Sequence, residues 1–308
     1  MKISRFLLFS RFFSRLLTCD FFIFSLKWRK VYGNIIINYK YSSIVRMIRV
    51  RLLCVGDVFA SSGTDILLKK LPLFKKERAI DLCIVNGENS ADKNGITRES
   101  AEVIFAAGAD VITGGNHTLR NAEVYDYLDS NPFILRPHNL PSDIGTGYCL
   151  YDMGRYLAAV INLSGQVYLE KSEAENPFLA ADALAERAKA DGARFIIIDF
   201  HAEATSEKRA LGLYLDGRIS VFFGTHTHVQ TSDAQVLPGG TGYITDIGMT
   251  GVTDSVLGVK KEIIINRLKS KDMSKFYPAE GDSAISGCIF ELDDSSGKCI
   301  SAETVRIK

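Results

Sequence analysis

Four of the five histidines in this chain fall in three short polar motifs, and each motif follows an apolar run. His117 closes Gly114-Gly115-Asn116-His117, His201 opens His201-Ala202-Glu203, and His226 and His228 share Gly224-Thr225-His226-Thr227-His228. Imidazole is the commonest protein metal ligand and titrates near neutrality. So scarce a residue, gathered this way, points to a metal site and to hydrolytic chemistry. His138 follows Pro137 outside these motifs and is not assigned to the site.

Oxygen donors accompany the histidines. Asp57 lies in Gly56-Asp57-Val58, Glu88 and Asn89 in Asn86-Gly87-Glu88-Asn89, and Asn116 directly before His117. Carboxylate, carboxamide and imidazole groups without thiolate suit iron, manganese, zinc or cobalt better than calcium alone. Asp57, Glu88, Asn89, Asn116, His201, His226 and His228 exceed what one tetrahedral ion takes, and suit two ions sharing a bridging carboxylate. Two carboxylates against two dications leave a charge of about +2, a site that attracts phosphate. His226-x-His228, if extended, would put both imidazoles on one side.

The elements that must place these groups are legible in the hydropathy. Strands are expected at Arg49–Val55, 81–85, Val111–Thr113, 195–200 and 219–223, and each runs straight into one of the five motifs. Ligands in α/β sheets bind outside the carboxyl ends of the strands, so the motifs can converge. Helices are expected at 64–77, interrupted or kinked at Pro72, at 97–107 behind a Thr97 cap, at 119–129 and at 177–191. Further strands are expected at 148–152 and 156–163, structure near the site at 241–247 and 260–268, and a closing hairpin at 288–292 and 300–307. This alternation is that of an α/β protein.

Residues 1–46 are unlike the rest. They hold nine Lys/Arg against the single acid Asp20, seven of the 18 Phe, and the only Trp, Trp28. The apolar stretch there is too short and too interrupted for a spanning helix or an ordinary signal peptide. It reads as a disordered extension or as sequence upstream of the true start, Met47, against the competing reading of a membrane-surface segment. The domain proper is expected at 47–308, and it is mildly acidic, which argues against a large nucleic-acid footprint. The six cysteines show no Cys-x-x-Cys spacing and several sit in apolar runs, as in a reducing, cytoplasmic setting.

The order Gly-Asp, Asn-Gly-Glu-Asn, Gly-Asn-His, His-Ala-Glu, Gly-Thr-His-Thr-His resembles the calcineurin-like metallophosphoesterases, and more narrowly their YmdB-like branch. Residues 242–251 and Asp254-Ser255-Val256-Leu257-Gly258 make the likeness specific to that branch. The resemblance implies a single-domain, four-layer α/β/β/α sandwich with two metal ions, iron foremost and manganese or zinc as alternatives. It implies Asp57, Glu88, Asn89 and His228 on one ion, with Glu88 bridging to a second ion held by Asn116, His201 and His226. The reaction implied is hydrolysis of 2′,3′-cyclic nucleotides to 3′-nucleotides by a metal-bound hydroxide, with His117 as proton donor. A homo-oligomer is also implied. A broad phosphomonoesterase or nucleotidase, or a metal-dependent regulatory protein with weak turnover, remain the alternatives. Two departures stand out: Val58-Phe59 replaces the His usual in the wider superfamily, and Phe59-Ala60 and Leu119 stand where the branch tends to carry Val-Gly and Trp.

Overall fold

A computed structural model describes residues 21–32, 35–46, 49–169, 173–270 and 274–308. The chain divides into two compact units, Met1–Arg49 and Val50–Lys308. In the first, strand β1 (Phe21–Tyr32) pairs antiparallel with β2 (Ile35–Arg46). The expectation for residues 1–20 lies outside the described residues.

The second unit carries two sheets. One is ordered β4 (Asp57–Val58), β13 (Met249–Val252), β14 (Ser283–Asp293), β3 (Arg49–Val55), β5 (Leu82–Asn86), β6 (Val111–Thr113), with β15 (Cys299–Ile307) also paired to β14. The other is ordered β11 (Gln235–Val236), β12 (Gly242–Ile244), β10 (Val221–Thr225), β9 (Phe195–His201), β8 (Leu157–Ser164), β7 (Tyr148–Asp152). The chemistry-bearing strands β3, β5 and β6 run parallel, as do β8, β9, β10 and β12.

Side-chain alternation explains the layering. Leu52 and Cys54 of β3 share a buried cluster with Ile197 of β9 and Val221 and Phe223 of β10, which is the core between the sheets. Leu53 and Val55 point the other way, onto Leu67 and Leu71 of α1 (Ala60–Glu77) and Ile104 of α2 (Arg98–Ala106). Ile196, Ile198 and Phe222 face Leu184 and Ala188 of α4 (Pro177–Ala190) and Leu211 of α5 (Thr205–Tyr214). Strands buried on both faces read as unbroken apolar runs, which is how they looked in the sequence. The result is the expected α/β/β/α sandwich.

Capping fixes where the helices start. Thr97 Oγ1 accepts from Ser100 N and Thr97 N donates to Ser100 Oγ, a closed capping box. Asn176 Oδ1 accepts from Phe178 N and Leu179 N ahead of Pro177. Several elements differ from the sequence reading. α1 begins four residues earlier and runs through Pro72, which is exposed. The expected helix at 119–129 is two 3₁₀ turns, Thr118–Arg120 and Ala122–Val124, followed by α3 (Tyr125–Ser130). Helix α5 was not expected, and the closing hairpin starts at Ser283 rather than 288. Helix α6 (Lys261–Ser270) buries none of its residues. Among the described residues, no helix is long and apolar enough to cross a membrane.

Candidate metal centre

The five motifs meet at the carboxyl ends of β3, β5, β6, β9 and β10. Glu88, just beyond β5, stands at the middle and is fully buried. Its Oε1 faces Asn89 Nδ2 at 3.2 Å and His117 Nδ1 at 2.9 Å. Its Oε2 lies 3.1 Å from His201 Nε2. The two oxygens therefore look toward two different groups of donors.

On one side are Asn116, His201 and His226. His201 Nε2 lies 3.1 Å from Asn116 Oδ1 and 3.0 Å from His226 Nδ1. Ligand atoms of Glu88, His201 and His226 all fall within 4.8 Å of one another. On the other side, His228 Nε2 is 3.4 Å from Asn89 Nδ2 and 3.8 Å from Asp57 Oδ1. Asp57 is fully buried, and its Oδ2 accepts from His226 N at 3.0 Å. Its Oδ1 is buried with no hydrogen-bond partner among the described residues. A buried carboxylate oxygen without a donor is costly, and a cation would satisfy it.

Each ligand-type imidazole is oriented by its other nitrogen. His201 Nδ1 lies 3.0 Å from Thr225 Oγ1, which donates to Asp199 Oδ1 at 2.7 Å. Asp199 also accepts from Thr113 Oγ1 at 2.5 Å and Asn86 Nδ2 at 2.9 Å, so a fully buried carboxylate anchors strands of both sheets. His226 Nε2 meets Glu203 Oε2 at 3.1 Å, and His228 Nδ1 meets the Leu257 carbonyl at 3.3 Å. These pairings leave His201 Nε2, His226 Nδ1 and His228 Nε2 aimed at the cluster. Glu203 was visible in the His201-Ala202-Glu203 motif, but its role against His226 was missed because it depends on the turn after β10.

That turn corrects the expectation for His226-x-His228. β10 ends at Thr225, and His226 and His228 adopt φ of 98° and 63°. Left-handed backbone is strained for residues with a side chain, and persists only where neighbours over-determine it. The pair is therefore not an extended couple facing one way. His226 turns to His201 and Glu88, and His228 to Asp57 and Asn89. A buried ion pair holds the turn: Lys208 Nζ donates to Asp246 Oδ2 at 2.7 Å and to Thr225 O at 2.7 Å. Asp246 Oδ2 also accepts from Thr227 N at 3.1 Å and Thr227 Oγ1 at 2.8 Å. Lys208 went unnoticed in the sequence because α5 was not expected.

Two small residues matter locally. A Cβ on Gly115 would lie 1.7 Å from Glu88 Oε2 and 2.4 Å from His201 Nε2, so only glycine lets the backbone pass. Ala60 has φ of 54°, the left-handed region that favours glycine. His138 stays out of the centre: its backbone N donates to Asn162 O at 2.8 Å, and burial with Arg136 and Arg187 nearby lowers its pKa.

Electrostatics follow from burial and pairing. Burial works to raise the Glu88 carboxyl, but the His201 charge and the His117 and His201 hydrogen bonds outweigh it and hold it well below the ordinary range. Burial opposes charge on His201 too, yet Glu88, Asp57 and Asp199 push it up to about 9. Burial and the His201 charge push His226 down to about 3. Burial raises Asp57, against the pull of His228 and His201.

The centre opens into a cavity of about 1030 Å³ lined by Glu88, Asn89, His117, His226 and His228. His117 keeps a third of its side chain exposed, with Nδ1 on Glu88 and Nε2 3.3 Å from Asn116 Nδ2. The fit to metal rests on the orphaned Asp57 oxygen, the clustered Glu88, His201 and His226, and the mixed N/O donor set.

A four-layer sandwich with such donors at its strand ends defines a metallophosphoesterase. A model of the YmdB-like protein family matches residues 53–305. The chain belongs to that family. It is 44% identical over 260 residues to a 2′,3′-cyclic-nucleotide 2′-phosphodiesterase of Bacillus subtilis (strain 168), covering 84% of this chain and 97% of that protein. A crystal structure of a novel phosphatase from Mycoplasma pneumoniae superposes with a TM-score of 0.80 at 31% identity, covering 85% of this chain and 94% of the other. A hypothetical protein from Thermus thermophilus superposes with a TM-score of 0.77 at 35% identity, covering 84% of this chain and all of the other.

Proposed function

We propose that the chain is a metal-dependent phosphodiesterase that opens 2′,3′-cyclic nucleotides to 3′-nucleotides, and that residues 47–308 form the catalytic domain with 1–46 as an extension. The observation that carries this reading is His117: it lines the cavity beside the donor cluster, with Nδ1 committed to Glu88 at 2.9 Å. Two ions, iron foremost and manganese or zinc as alternatives, would be held by Asp57, Glu88, Asn89 and His228 and by Asn116, His201 and His226, with Glu88 between. When bound they supply an activated water and offset the charge of the phosphate.

The residues of the chain do the rest. Glu88 fixes the His117 ring through Nδ1, and the protonated Nε2 serves the leaving oxygen in place of its 3.3 Å contact with Asn116 Nδ2. Water adds to phosphorus and gives up a proton to solvent, the bond from phosphorus to the 2′ oxygen breaks, and His117 gives that oxygen its proton and regains one from solvent. The product is a 3′-phosphate with a free 2′-hydroxyl. The buried state of the described free cysteines Cys54, Cys83, Cys149, Cys288 and Cys299 suits a reducing cytoplasm. A homo-oligomer completes the reading.

The test is a substrate panel with Mn²⁺- or Fe²⁺-loaded protein. Turnover of 2′,3′-cyclic AMP to 3′-AMP, with little on 3′,5′-cyclic AMP or p-nitrophenyl phosphate, is expected. A preference for the monoester would instead make the protein a broad phosphomonoesterase. His117→Asn should cut turnover about 10²–10⁴-fold while metal content stays near that of the wild type.

A further inference from the structure

The cavity is lined by the donor cluster with His117, by an apolar wall of Phe59, Leu257, Ile264, Phe276 and Tyr277, and by polar residues that include Asn94, Arg120 and Lys275. Leu257, Phe276 and Tyr277 keep 47%, 51% and 56% of their surface exposed. Large apolar groups gathered at the mouth of a polar centre mark a place where a ligand is held.

This wall is fastened to the metal-ligand loop. The Leu257 carbonyl faces His228 Nδ1 at 3.3 Å, and the Phe59 ring meets the His228 ring edge-on at 6.0 Å. Tyr277 O accepts from Lys260 N at 3.0 Å, and Gly258 O accepts from Ala279 N at 2.8 Å, so the two strips of the wall are tied together. The Arg267 guanidinium lies 4.7 Å from the centre of the Phe276 ring and steadies it. Gly258 permits the close approach: a Cβ there would fall 2.3 Å from Phe59 Cδ1.

Resting on the phosphodiesterase reading, we infer that this wall seats the nucleobase while the cyclic phosphate sits at the donor cluster. Phe276 and Tyr277 are the stacking platform and Phe59 and Leu257 the floor. A planar base has apolar faces that match such a wall, whereas the ribose and phosphate are polar and match the donor cluster beside it. The wall offers aromatic faces and aliphatic groups to the base. Stacking of this kind accepts every base, because every base has a π-face. The chain should therefore discriminate strongly for the presence of a base and weakly among bases.

The experiment compares 2′,3′-cyclic AMP with ribose 2′,3′-cyclic phosphate, which has no base, in metal-loaded wild type and in the double variant Phe276→Ala/Tyr277→Ala. The ratio of kcat/KM values, nucleotide over base-free ester, should fall about tenfold in the variant, the size expected for a lost stacking contact. Phe276→Tyr, which keeps the ring, should leave the ratio near the wild-type value. Equilibrium binding of 3′-AMP against ribose 3-phosphate gives the same comparison without turnover. An unchanged ratio in both measurements overturns the inference. If neither ester is hydrolysed but the binding ratio falls as expected, the phosphodiesterase reading fails while the base seat stands.

Discussion

Lys208→Met gives the sharpest test of how the fold holds its centre. Lys208 and Asp246 are almost wholly buried, with Nζ 2.7 Å from Oδ2. Methionine keeps the apolar stem and removes the charge. It leaves Asp246 with hydrogen bonds from Thr227 and Gly248 but without its cation. Breaking one side of a buried pair costs about 3–5 kcal/mol, a large part of the roughly 5–15 kcal/mol by which domains are stable. At about 2–4 °C per kcal/mol for a domain of this size class, Tm should fall by on the order of 10 °C. The damage should also reach the metal, because the same pair pins the left-handed turn carrying His226 and His228. Calorimetric unfolding of the metal-free protein measures the first effect, and metal titration well below Tm measures the second. A Tm within about 2 °C of wild type, with unaltered metal affinity, would show that the pair does not hold the turn.

Three further outcomes follow, one from the geometry and two from the raised His201 pKa. Gly115→Ala should abolish metal loading and reduce activity at least about 10²-fold, since the new methyl must displace Glu88 by far more than the roughly 0.2 Å that ligand geometry tolerates. Near-normal metal content in that variant would contradict the placement of Glu88. Metal uptake should release a proton: His201, raised to about 9, is charged at neutral pH when no metal is bound. Apparent metal affinity should therefore rise with pH up to about 9. In the metal-free protein, the same raised pKa stabilises the fold fully below the ordinary value of 6.5, and that stabilisation is lost as pH rises through about 9. Calorimetry in buffers of different ionisation enthalpy counts the proton, and no release at pH 7 would refute the coupling.

Much of the centre was legible because its signals are local. Apolar runs ending in Asp57, Glu88, Asn116, His201 and His226 announced strands with polar tips, and strand ends in α/β sheets gather ligands by topology alone. Thr97 declared its helix because a cap is a contact among near neighbours. The helix around Pro72 was legible in its extent to Glu77, but its start was not, because Phe59 at the N-cap makes no side-chain cap hydrogen bond that a sequence could announce. Helix α5 was missed because its polar stretch, Thr-Ser-Glu-Lys-Arg, shows only a weak apolar face.

The sequence by itself determined the sandwich and the family and named the candidate donors, since each rests on residue type and short-range order. Tertiary structure alone decided the contacts that hold those candidate donors in place. It turned His226 and His228 toward different partners, set Glu203 behind one of them, and placed Lys208 and Asp246 under the turn. Those contacts join residues far apart in the chain, and backbone strain at two histidines is stable only where such contacts converge.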